Sequence, residues 1–179
     1  MHLASPSGII RVVNEPTYSF GSSDNVRTYP LEMELAPGLR PTSIHGVLLD
    51  DASVAVLSNS GGASGVHEHS ALFKDGLLYM AIGDSVVCLD VQAPKIIWSV
   101  QVDLATCFGI YFDDARKALI SHGELEIARL SEDGSILWQT SGADIFSEAF
   151  ALRPEFIEAV DFNQRSYRFS YEDGRPIGR

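Results

Sequence analysis

The sequence predicts an all-β protein, and three observations carry the prediction. Apolar residues come in short alternating bursts or brief runs bounded by Gly, Asp, Asn and Pro, the pattern of strands and hairpins. No long stretch keeps the helical period, and the most helix-like piece, Ala143 to Leu152, is short. The C-terminal part repeats one signature three times: Leu89-Asp90 with Pro94-Lys95 and Trp98, Leu130-Ser131 with Asp133-Gly134 and Trp138, and Phe169-Ser170 with Asp173-Gly174 and Ile177. Trp98 and Trp138 stand 40 positions apart, as do Asp133 and Asp173, which falls within the period of roughly 40–45 residues of propeller blades. The expected architecture is a short β-propeller-like stack of about three to four antiparallel four-stranded blades, open or incomplete.

Residues 1–66 break the period and read as an irregular β-rich segment that packs as a cap or as a first blade. Ile9 to Val13, Arg27 to Leu35 and Gly46 to Leu57 alternate like strands, and Pro16, Pro30, Pro37 and Pro41 limit their length. Ser58 to Gly65 is a flexible loop by composition. Residues 67–179 hold the repeats, in units of about 70–104, 107–142 and 148–179. In the first unit Ala71-Leu72-Phe73 meets the turn Lys74-Asp75-Gly76, Leu77 to Ile82 meets Gly83-Asp84, and Ser85 to Asp90 and Lys95 to Val102 follow. The second unit runs from Gly109 to Thr140, with turns at Asp113-Asp114, His122-Gly123 and Asp133-Gly134; the last is expected as a type I′ hairpin, with positive φ at both centres. The third unit turns at Arg153-Pro154, Asn163-Gln164 and Asp173-Gly174, and Pro176 makes its last strand short or places it at an edge because proline cannot donate to a ladder. The whole reads as one compact domain.

The run Leu89-Asp90-x-x-x-Pro94-Lys95-x-x-Trp98 resembles the tryptophan repeat of the PQQ-like (quinoprotein-like) β-propellers, and Leu130-Ser131-x-Asp133-Gly134-x-x-x-Trp138 resembles it with one residue fewer. The resemblance covers about 110 residues, from about Ser70 to the end, and is partial: Pro94 stands where the family has glycine, and Gly178 where a third tryptophan is expected. It implies structural roles for Asp90, Trp98, Asp133, Gly134, Trp138, Asp173 and Gly174, with the tryptophans packing between blades. The quinone cofactor is not supported by any residue that the resemblance carries over, and no cofactor is predicted.

The net charge of −11 and pI of about 4.7 oppose nucleic acid, whose binding rests on Lys and Arg, and an anionic membrane surface for the same reason. Cys88 and Cys107, the only cysteines, read as small core hydrophobes rather than a disulfide framework or a zinc motif. With neither a signal-peptide pattern nor an apolar run of membrane length, the expected setting is cytoplasmic.

The best concentration of metal-ligand side chains is His67-Glu68-His69. On a strand His67 and His69 share a face, as a metal pair requires, with a third ligand from His45 or His122. Asp50-Asp51 and Asp113-Asp114 are turn carboxylates, and neither a Gly-x-Ser-x-Gly elbow nor a phosphate loop appears. The leading expectation is therefore a non-catalytic interaction or scaffold domain that takes a protein partner, the blade stack being self-contained or completed by a second copy. The alternatives are a metal-dependent enzyme or ligand-binding module at His67 and His69, and an acidic immunity-type protein that neutralises a basic partner.

Overall fold

The structure, a computed structural model, describes residues 1–178, which form sixteen strands in four small sheets of three to five strands and no helix. The protein is all-β, and none of the sheets closes into a barrel. The first sheet holds β1 (His2–Ser5), β2 (Gly8–Asn14), β4 (Ser43–Leu49) and β5 (Ala52–Asn59) as an antiparallel meander, with β3 (Leu31–Glu34) laid parallel along β5. The second is β6 (Ala71–Lys74), β7 (Leu77–Ile82), β8 (Ser85–Asp90) and β9 (Lys95–Gln101). The third is β10 (Cys107–Asp113), β11 (Ala118–Gly123), β12 (Glu126–Leu130) and β13 (Ile136–Ser141), and the fourth is β14 (Phe150–Leu152), β15 (Ile157–Val160) and β16 (Ser166–Phe169). A fourth strand there is reduced to one bridge between Phe169 and Pro176, as a missing proline N–H dictates. Ala143 to Leu152, the most helix-like stretch of the sequence, is loop followed by β14.

The sheets stack in chain order because their strands are apolar on both faces. In β7, Leu78, Met80 and Ile82 pack on Ile10, Val12, Val47 and Leu57 of the first sheet, whereas Tyr79 and Ala81 face Ile110, Leu119 and Ala128 of the third. Ile120 and Ile127 of the third sheet then meet Ile157, Ala159 and Phe169 of the fourth, with Phe146 from the preceding loop. Alternation with a period of two thus makes a continuous apolar run two half-cores back to back. No core cluster joins the first sheet to the fourth among the described residues.

Each end of the stack is covered differently. The outer face of β4 and β5 offers Ile44 and Val56, on which Tyr18, Phe20 and Tyr29 close down from the long β2–β4 connection. Residues 1–66 therefore supply a sheet and its cover together. The outer face of the fourth sheet carries more polar groups: Glu158 pairs in register with Arg168 and Ser166 stands opposite Val160, Arg153 reaches Glu158 at 2.7 Å, and Arg168 lies 4.8 Å over the Phe156 ring.

Antiparallel order also sorts the connections into two ends. Tight turns at 6–7, 50–51, 75–76, 91–94, 114–117, 131–135, 153–156 and 170–175 form a turn end; the β2–β4 connection, the three links between sheets and the turns near 84, 124 and 163 form a loop end. Asp75 and Gly76 both have positive φ, at 50° and 87°, and so do Asp50 and Asp51 at 46° and 67°, as type I′ requires. Asp133 does not. Only Gly134 is left-handed there, at 86°, so the expected type I′ hairpin is replaced by a longer turn closed by Gly134 N–H to Ser131 O at 3.1 Å. His122-Gly123, expected as a turn, finishes β11, and the chain turns at Glu124-Leu125.

Candidate functional site

The repeat residues make one joint, built twice at the turn end. Trp98 of β9 donates its indole N–H to Glu132 O at 2.9 Å, and its ring lies over Gly134, where an added Cβ would meet it at 2.6 Å. Trp138 of β13 donates to Tyr171 O at 2.9 Å and covers Gly174, where an added Cβ would meet the ring at 2.5 Å. Each tryptophan therefore bolts the outer strand of one sheet to the hairpin turn of the next. Glycine is required twice over at these turns, by its left-handed φ (86° and 69°) and by the indole above it. The aspartates shape the turns: Asp90 accepts from the N–H groups of Gln92 and Ala93, Asp133 from Ser135 and the Ser131 hydroxyl, and Asp173 from Arg175. Those hydrogen bonds hold the Asp133 carboxyl, led by Ser131, and the Asp173 carboxyl, led by Arg175, below the usual range.

His67, Glu68 and His69 are not on a strand. They occupy a turn closed by Ser70 N–H to His67 O at 3.1 Å, so the shared strand face expected of the two histidines is absent. Instead both His67 nitrogens are used: Nε2 donates to Phe108 O at 2.7 Å and Nδ1 accepts from the His69 N–H at 3.2 Å. The imidazole is thereby fixed as the Nε2–H tautomer and locks the turn to the start of β10. The His69 ring stacks on Tyr111 at 4.5 Å. His122 stacks on Phe150 at 4.3 Å and donates Nε2–H to Phe146 O at 3.1 Å, while His45 meets the Ser64 hydroxyl at 3.2 Å and leaves Nδ1 without a partner. Burial pushes both His45 and His122 down to about 4. Among the described residues no three His, Cys, Asp or Glu side chains gather as metal ligands.

Other polar groups of the loop end brace the backbone. Buried Asp103 accepts from the N–H groups of Ala105, Leu125 and Glu126 at 2.6–2.9 Å, tying the β9–β10 link to the β11–β12 turn. Burial pushes its carboxyl up against the pull of those donors. Asn59 donates to Ile82 O and to Asp84 and Ser85, joining the first two sheets.

Exposed apolar side chains sit beside these braces: Val26 and Leu39 in the β2–β4 connection, Leu104 in the β9–β10 link (75% exposed) and Phe162 in the β15–β16 turn (62%). A notch of about 390 Å³ lies between Leu104, Leu125 and Ile145, rimmed by Glu126 and Asp144. Burial, and then the Asp103 charge, push the Glu126 carboxyl up. Of the twelve Lys and Arg among the described residues, only Arg27, Arg40 and Arg165 stand in loop-end connections. Asp24, Asp84, Glu124, Asp144 and Glu148 have no ion-pair partner among the described residues. At the turn end Asp51, Asp75, Asp113, Asp114 and Asp173 have one among those residues, while Asp50, Asp90, Glu132, Asp133, Glu155 and Glu172 do not, so what separates the ends is the scarcity of bases at the loop end rather than the pairing of acids at the turns. The notch residues carry no motif, since three separate connections supply them. The one signal in the sequence is the absence of Lys and Arg between Arg129 and Arg153 and between Lys95 and Arg116.

No family model and no curated protein matches the chain. Among solved structures, the computationally designed Ika8 protein is similar at a TM-score of 0.53 and 11% identity, over 75% of this chain and 45% of that one. The computationally designed Ika4 protein is similar at 0.51 and 11%, over 63% of this chain and 73% of that one. The chain thus spans less than half the length of the first. At that identity the likeness is one of fold.

Proposed function

We propose that this chain is a non-catalytic protein-interaction module, a propeller-like stack of four blades akin to the PQQ-like repeats, that binds its partner with the loop end. One observation carries the reading: apolar side chains and unpaired carboxylates are exposed together at that end, while His67, His122, Asp103 and Asn59, the groups most able to do chemistry, are committed to backbone contacts. The repeated tryptophan joint supports the blade reading. The covered first sheet and the more polar outer face of the fourth favour a self-contained monomer over completion by a second copy.

The acidity of the loop end favours a basic partner, the chemistry of an immunity-type protein. Purified protein is expected to turn over nothing in a broad hydrolase and oxidoreductase screen and to carry no stoichiometric metal by elemental analysis. Turnover that copurifies with the chain and disappears on His67→Ala would overturn the reading and restore the metal-site alternative.

A further inference from the structure

We propose that the notch between Leu104 and Ile145 receives a lysine or arginine side chain from a basic segment of a protein partner. This inference rests on the reading of the loop end as the binding face and gives that face its central contact. Leu104, Leu125 and Ile145 offer apolar walls, and Glu126 and Asp144 line the same notch with carboxylates. A long cationic side chain matches that combination: its methylene stem covers the apolar walls and its head meets the acids. Other occupants fit worse. An anion is repelled, and an uncharged apolar group leaves Glu126 and Asp144 desolvated without a partner.

The notch is also built to hold its shape. Asp144 Oδ1 accepts from the Ile145 N–H at 2.8 Å, and its Oδ2 accepts from Asn163. Ile145 O in turn accepts from the Phe162 N–H at 2.9 Å, which places exposed Phe162 in the adjoining turn. Across the notch, Glu126 Oε2 accepts from Gln139 at 2.6 Å and its backbone N–H is held by Asp103 at 2.8 Å. Glu126 therefore has a neutral donor and no countercharge among the described residues, and burial and then the Asp103 charge push its carboxyl up. A cation supplies what the site lacks.

The test is an amide NMR titration of the full chain with decalysine, beside a decapeptide of 2,4-diaminobutyrate that carries the same charge on a stem shorter by two methylenes. The expected result is saturable shifts at Leu104, Leu125, Glu126 and Ile145, with weaker binding of the short-stemmed peptide. Glu126→Gln with Asp144→Asn is expected to weaken decalysine by about tenfold or more, and Glu155→Gln at the turn end to leave it unchanged. Equal binding of the two peptides, no binding at all, or shifts confined to the Val26 and Leu39 region overturn the notch. The last of these keeps the loop-end reading, whereas shifts confined to the turn end overturn both.

Discussion

The two ends of the sheet stack are made from the same strands and do opposite work. At the turn end the chain reverses within a few residues, aspartates cap the turns, and bases offset part of the acidity: Lys74 bridges Asp75 and Asp114 at 3.4 and 3.6 Å, and Arg116 pairs with Asp113 at 2.9 Å. At the loop end the connections are longer, bases are scarce, and Leu104 and Phe162 stand exposed. The loop end is braced from within by Asp103, Asn59 and His122, which leaves its outermost side chains, such as Leu104 and Phe162, without a structural task. That division is the usual one between a rigid scaffold and the loops it presents.

The sharpest way to break the comparison is to remove a turn-end joint. Trp138→Ala deletes a nearly buried ring and its hydrogen bond to Tyr171, and is expected to cost about 3–5 kcal/mol in urea unfolding, loosening the fourth sheet first. Gly174→Val strikes the same joint from the other side through φ and the indole above it, and the two losses are expected to overlap rather than add. A pair of fully additive losses would mean that the joint is not one unit.

Acid sharpens the comparison from the loop end. His45 and His122 are held near 4 in the folded protein against an ordinary 6.5. The unfolded chain therefore takes up these protons first, so the stabilisation is complete above pH 6.5 and is lost as pH falls from there through about 4. The expected loss is a few kcal/mol by urea unfolding at pH 7 and pH 4.5. His122→Gln, which keeps a donor for Phe146 O, is expected to flatten that slope. A slope unaltered by the substitution would remove His122 from the account.

Smaller effects follow for surface residues. Arg116→Ala removes an ion pair, a contact to the Pro154 carbonyl and a guanidinium 4.1 Å over the Tyr171 ring, and is expected to cost about 1 kcal/mol. Leu104→Ser and Phe162→Ser at the loop end are expected to stay within about 0.5 kcal/mol of the parent. A large loss there would make those side chains structural.

The legible part of the fold was the part with local pairing. Sheets two to four are meanders whose turns announce themselves at Asp75-Gly76, Gly83-Asp84 and Asp133-Gly134, so their boundaries follow from sequence. The first sheet was obscured because β2 pairs with β4 across the 28-residue connection at 15–42, and β3 joins in parallel beside β5. Proline and polar spacing in that connection hid the three aromatics that cover the sheet. His67 and His69 were read from residue type alone, and the turn at Ser70 then set their geometry. The notch was invisible because Leu104, Glu126 and Ile145 come from the link into the third sheet, the start of β12 and the link out of that sheet, and meet only once the sheet has formed.

Net negative charge gathers at the loop end because bases are scarce there, and that potential can be measured without any partner. Amide paramagnetic relaxation is measured with a cationic nitroxide and with its neutral relative, and the ratio reports local potential. The highest ratios are expected around Asp24, Glu124, Asp144 and Glu148, and lower ratios at 50–51, 113–117 and 173–175. A uniform ratio, or a maximum at the turns, would contradict this charge distribution.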